Sequence, residues 1–386
     1  VEEEIMKYKY MSVITGAFIL LLLLFAGCEG PSQPTFGPGN PDPNPSGSTP
    51  AALNTISPQE GYLKDIVTIT GSGFNTNPEY TLVAFGKQTG KVIAATANEI
   101  QVQAPNISSD TVKVKVAIKG SEFWSNELEF VFKNTIDIID EEIVWPNGVD
   151  VDNNDNIYIG SAADSTIFKI TPDGEKSVFA AVHVSGAIRF GPNGYLYVCQ
   201  NHHGKIVRVS PDGSVIEDVV ETDSPVCFDW DENDNLYIVN NGVGISRLTP
   251  GGEPELVAEL TDPKVCRVFG NQLFVSDIWS GIIWRYDITP DGLTNKEQIF
   301  EGDSPLGIEF DKDGTMYYTL AWETSLFTLN SDGVEETLYD GQLMTPMHYI
   351  TFGKKFMYIV YPGWGDVGEV MRVYIGVEGA PNYGRE

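Results

Sequence analysis

The sequence predicts an all-β protein with two folded units, the larger a six-bladed β-propeller, on three observations. An aromatic set among apolar residues recurs at Tyr158, Tyr197, Tyr237, Phe274, Tyr317 and Tyr358, with spacings of 39, 40, 37, 43 and 41 residues. A tight turn follows it at Pro172–Gly174, Pro211–Gly213, Pro250–Gly252, Pro290–Gly292 and Ser331–Gly333. A proline opens the repeat at Pro146, Pro225, Pro263, Pro305 and Pro346, where the second copy carries Ser185 and Gly186. Three markers in register at a period of about forty residues indicate propeller blades. A lone four-stranded sheet cannot bury both faces, so its copies stack.

Within the first copy, Val149 and Val151 alternate in a first strand, Ile157–Ile159 form a second, Thr166–Ile170 a third and Lys176–Val182 a ragged fourth. The last copy shows only three, at Tyr349–Phe352, Phe356–Tyr361 and Glu369–Ile375. Thr135–Ile139 is expected to supply the missing outer strand. It would close the ring and remove its free edges. The propeller therefore spans 134–386.

Residues 1–28 read as an export signal. Lys7 and Lys9 precede an apolar run from Val13 to Ala26, too short to span a bilayer. Phe25, Ala26, Gly27 and Cys28 resemble the lipobox of bacterial lipoproteins. That resemblance implies a signal peptide cleaved before Cys28 and lipidation of its thiol. It places the protein in the bacterial cell envelope, anchored to the outer membrane and facing the surface. Residues 29–52, rich in Pro, Gly and Ser, read as a disordered tether able to reach about 70 Å when extended.

A formal charge of −30 over 386 residues repels phosphate backbones and excludes nucleic acid as a partner. Cys199, Cys227 and Cys266 fall in propeller strands and read as small buried residues, with a Cys227–Cys266 bridge as the alternative.

Residues 53–133 alternate apolar and polar at Ile66–Ile69, Leu82–Phe85, Ile100–Gln103, Val112–Ile118 and Leu128–Phe132. Ile56, Ser57, Pro58 and Gly61, the run Val67–Phe74, then Phe85, Gly86 and Val102–Pro105 resemble an IPT/TIG domain. The resemblance implies an immunoglobulin-like β-sandwich acting as a spacer or adhesion module, without catalytic residues. Gly71 and Gly73 are expected to supply positive φ in a tight turn.

The propeller is similar to NHL-repeat and gluconolactonase-like proteins, most closely over Leu273–Asp287. In the lactonase family an Asp, a Glu and two Asn hold a divalent metal. The resemblance carries the Asp onto Asp277 and the Glu onto Glu141. The two Asn do not carry over, because the entry turns read Ser185-Gly186-Ala187 and Lys264-Val265-Cys266. Calcium is the cation to consider. The turns Asp150–Asn156 and Asp229–Asn235 have two readings, backbone turns or calcium loops.

Loops after each second strand and the entry turns share one rim. There lie Gln200, Asn201, His202, His203, Asn240, Arg267, Asp277, Trp279, Trp322, Glu323, His348 and Trp364. Indoles interleaved with amides and charges suit sugar rings, which stack on one face and hydrogen-bond at their edges. The competing reading makes these tryptophans plugs between blades. The functional reading is a non-catalytic, lipid-anchored binding protein accessory to glycan uptake, taking a glycan or small-molecule ligand. Its alternatives are a metal-dependent lactonase or hydrolase, and a scaffold for another envelope protein.

Overall fold

The computed structural model describes residues 36–384 apart from 38, 40, 43–44, 108–109 and 364–367. The described chain is all-β and divides into two compact units, one ending at Phe132 and one starting at Lys133.

In the first unit, Ala52–Ser57, Ile66–Ser72, Glu99–Gln103 and Gln88–Ala95 pair as one sheet. Gln88–Ala95 also pairs with Thr81–Phe85, which leads on to Asp110–Ile118, Leu128–Phe132 and the short Glu60–Gly61. The period-2 pattern places Val67, Ile69, Val83, Phe85, Ile100, Val102, Val114, Val116 and Phe130 in a common core. Phe85, Phe130 and Phe132 meet edge to face, with centroids 4.9–5.8 Å apart. Gly73 has the expected positive φ of 78°. Gly71 does not. A Cβ there would stand 2.2 Å from the Ala52 carbonyl oxygen, so close strand approach is what requires glycine.

The second unit contains six four-stranded sheets. Blade one is Pro146–Val151, Ile157–Ser161, Thr166–Ile170 and Lys176–Ala180. Blade two is Ile188–Phe190, Leu196–Gln200, Lys205–Val209 and Ile216–Glu221. Blade three is Pro225–Trp230, Leu236–Asn240, Gly244–Leu248 and Glu255–Glu259. Blade four is Pro263–Phe269, Gln272–Asp277, Ile282–Thr289 and Gly292–Glu301. Blade five is Pro305–Phe310, Met316–Leu320, Leu326–Leu329 and Glu335–Leu338. Blade six is Tyr349–Phe352, Phe356–Tyr361 and Glu369–Tyr374, completed by Ile136–Asp140.

That last pairing closes the ring as the sequence predicts, one residue later than expected. Arg372 lies opposite Asp137 and binds its carboxylate at 2.8 Å. Inner strands of neighbouring blades touch all the way round, including blade six to blade one. Second strands are sandwiched by neighbouring blades, and in blades one, two, three and five every residue of that strand is buried. The outer strands of blades one, three and five face water and are mostly exposed.

The Asp-rich turns are built on their own side chains. Asp152 Oδ1 accepts the amides of Asn154 and Asn156, Asp231 Oδ1 those of Asn233 and Asn235, and Asp311 Oδ1 those of Asp313 and Thr315. These carboxylates cap backbone turns, which accounts for their residue type.

Candidate functional site

One position of the inner strand decides whether the propeller has a through-channel. It lies opposite the recurring aromatic and is occupied in turn by Asp150, Arg189, Asp229, Arg267, Glu309 and Thr351. All six are buried. Arg189 of blade two reaches Glu309 of blade five, across the axis, at 2.9 Å. Arg267 donates to the same Glu309 oxygen at 2.7 Å, and Arg189 Nε lies 3.4 Å from Asp229. Asp229 also accepts the Val268 amide, and Asp150 accepts the Phe190 amide and the Thr351 hydroxyl. Three carboxylates thus face two guanidiniums, with hydrogen bonds spread over the residual charge. Burial pushes the Asp229 carboxyl up while the two arginines oppose that shift.

The axis is closed at a further level. Tyr349 of blade six donates from its hydroxyl to the Val226 carbonyl of blade three at 2.9 Å. On the side of the inner-to-second-strand turns, the residues after blade six cross the mouth. The Ala380 amide bonds to the Phe310 carbonyl, and Tyr383 packs on Trp230 at 5.5 Å while its hydroxyl binds Asp234. Entry along the axis from that side is therefore blocked. Arg267, expected on that rim, is 3% exposed and belongs to the central plug. A readable signal existed: in all six copies one polar residue interrupts an apolar strand at the same register.

On the open rim, Trp279 and Trp322 stand two residues beyond the second strands of adjacent blades. They are 79% and 66% exposed, so neither plugs a gap between blades. Trp145, which is not among the residues expected on this rim, is 51% exposed at the entry turn of blade one. Its signal was an indole directly before the entry proline. Asn201 is half-buried, while His202, His203 and Glu323 are exposed. His348 is half-buried beside Lys264, and burial with that cation pushes its imidazole down to about 4. Trp364 lies outside the described residues, as does Cys28 with its lipobox.

Two further expected ligands are turned inward. Asn240 is 1% exposed, accepting from the Thr222 hydroxyl and donating to Ser246. Asp277 is 3% exposed and pushes the buried Tyr286 phenol up, after burial itself. These residues end second strands, as do Ser161 and Gln200, and their side chains bond to neighbouring loops and strands. Ser161 binds Asp164 and the Val144 carbonyl. The polarity of this position has a local structural purpose, and a ligand is not needed to explain it.

The donors do not fit the lactonase-type cation. Glu141 is exposed on the link before blade one, and its charge, after burial, helps push Glu369 up. Asp277 is buried in blade four. Among the described residues no three His, Cys, Asp or Glu side chains are grouped to hold a metal ion. A hard cation needs six or more oxygens. Cys199, Cys227 and Cys266 are buried free thiols, so the alternative of a Cys227–Cys266 bridge falls away.

Two cavities open on the closed side, between neighbouring blades. One of about 470 Å³ lies between blades six and one, beside Lys354, Phe356 and Thr171–Gly174. One of about 710 Å³ lies between blades two and three, beside Arg208, Trp230 and Pro250. Arg208 there is already held by Glu217 and stacked on Tyr195, and Lys354 by Asp155.

The sequence profile of the IPT/TIG domain family matches residues 51–132, the extent of the sandwich. Residues 51–132 are an IPT/TIG domain. No curated protein matches the chain in sequence. Among solved structures, a protein of unknown function from Bacteroides thetaiotaomicron is similar, with 16% identity over 86% of this chain and 99% of its own, TM-score 0.53. An auxiliary nutrient binding protein from the same organism shares 14% identity over 87% and 99%, TM-score 0.51. A gluconolactonase from Xanthomonas campestris shares 15% identity over 62% and 89%, TM-score 0.54. At these identities the likeness is one of fold. The two Bacteroides matches cover more of the chain than the propeller alone provides, so they take in part of the IPT/TIG unit as well.

Proposed function

We propose that the chain is a non-catalytic binding protein of the bacterial envelope that takes a glycan on the open rim of its propeller, as an accessory to nutrient uptake. The observation that carries this reading is the exposure of Trp279 and Trp322 on equivalent loops of adjacent blades. Burying an indole releases much apolar area, and leaving two exposed in one sector costs solubility unless they meet a ligand. Sugar rings offer apolar faces that match them. With the axis blocked by Arg189 and Glu309, such a ligand lies across the rim. The auxiliary nutrient binding proteins of similar fold accord with this role.

Lipidation at Cys28, with the residues after it as a tether and the IPT/TIG domain as spacer, would hold the rim off an outer-membrane surface; this tether is shorter than the expected 29–52, because Ser46 and Ser48 already bond to the Gly120 carbonyl and Ala52 begins the first strand of the sandwich. The lactonase alternative lacks a donor set. The test is a glycan array probed with and without calcium. Binding abolished by Trp279→Ala and Trp322→Ala supports the reading, while turnover of lactones by the unmodified protein, with no glycan retained, would replace it. For the anchor, Cys28→Ser should release the protein from membranes.

A further inference from the structure

Three of the four histidines of the chain come together at one place on the open rim. His183 lies between the outer strand of blade one and the inner strand of blade two. His202 and His203 form the turn after the second strand of blade two. The rings of His183 and His203 have centroids 4.9 Å apart, and that of His202 lies 6.2 Å from His183. We propose that His183 and His203 form a chelating site for a borderline divalent transition-metal ion such as Zn²⁺ or Ni²⁺.

The distance supports it. With metal–nitrogen bonds of 2.0–2.1 Å, two imidazoles on one ion at 90–109° place their centroids roughly 4.5–5.2 Å apart. The pair at 4.9 Å falls within that range. His202 stands too far for the same geometry as placed, so the site has two protein donors, and its remaining positions face solvent.

The surroundings also resemble those of a ligating pair. His183 Nδ1 is 3.3 Å from the Ser165 hydroxyl, and His203 Nδ1 is 3.4 Å from Gln200 Oε1. The Gln200 oxygen can only accept, so it holds the proton on Nδ1 of His203 and leaves Nε2 as the donor to a metal, and the Ser165 hydroxyl is able to accept from His183 in the same way. Gln200 is 6% exposed, and its other end donates to the His183 carbonyl at 3.1 Å. One buried amide therefore positions both histidines. Imidazole pairs favour zinc, nickel and copper over calcium, which separates this site from the calcium expectation. A chain of charge −30 also concentrates cations around itself.

Titration calorimetry of the full chain with zinc chloride, and separately calcium chloride, tests the assignment. One zinc ion per chain is expected, undisplaced by millimolar calcium. His203→Ala, an exposed change, should weaken zinc at least tenfold. His183→Gln should do the same while keeping the side chain's bulk, and Gln200→Leu should weaken zinc about tenfold through lost positioning. Melting curves of the metal-free variants verify folding. Zinc affinity unchanged in both histidine variants, or calcium displacing zinc, overturns the proposal.

Discussion

Arg189 and Glu309 meet at 2.9 Å across the propeller axis, joining blades that lie opposite one another in the ring. Arg267 shares the same Glu309 oxygen, so one carboxylate holds two buried guanidiniums. Glu309→Gln keeps the shape and removes the charge. Breaking a buried pair from one side typically costs about 3–5 kcal/mol, because the partner is left uncompensated. The urea midpoint should fall accordingly with an unchanged slope. A loss under about 1 kcal/mol would mean that water reaches the plug.

The exposed indoles make the opposite prediction. Trp279→Ala and Trp322→Ala should each alter stability by no more than about 0.5 kcal/mol. Each should weaken glycan binding by about 2 kcal/mol or more if it is a central anchor. Melting temperature and affinity, measured on the same samples, separate the two effects. A large drop in melting temperature would show packing to be their main task.

His348 gives the stability a pH dependence of known sign. Its folded pKa, about 4, lies below the ordinary 6.5, so the unfolded chain binds the extra proton first as pH falls. Its contribution is complete above pH 6.5 and is lost between there and pH 4. His348→Gln should flatten the fall in melting temperature between pH 7 and 5 relative to the unmodified protein. Parallel curves would remove His348 from the explanation.

Ring closure can be tested by truncation. A chain starting at Glu141 lacks Ile136–Asp140 and leaves Glu369–Tyr374 with an unpaired edge. Loss of cooperative melting, or aggregation on expression, is expected. Melting indistinguishable from that of the full chain would show that the strand is dispensable.

Much of the fold was legible because its signals repeat. Aromatic, turn and entry proline recur together, and even the strand borrowed from before blade one could be inferred from the three strands left in blade six. Gln88–Ala95 of the sandwich was not anticipated, since it is largely exposed and carries no clear alternation. The site was less legible. Trp279 and Trp322 were placed correctly because loop position alone sets their exposure. Asn240, Arg267 and Asp277 were misplaced because polarity at a strand end, or within an inner strand, looks the same whether a side chain meets a ligand or a neighbouring blade. The grouping of His183 with His203 depends on adjacent loops folding together, which residue spacing does not encode.

Blade six is assembled from segments about 230 residues apart, since Ile136–Asp140 must wait for Glu369–Tyr374. At roughly 5–20 residues per second, a ribosome takes on the order of ten to fifty seconds to make the intervening chain. For that interval the earlier blades stand as an open stack with a bare face at each end. Completion of the propeller is therefore tied to the synthesis of Glu369–Tyr374, and termination between the first blade and that strand would yield a sticky product for chaperones and proteases to clear.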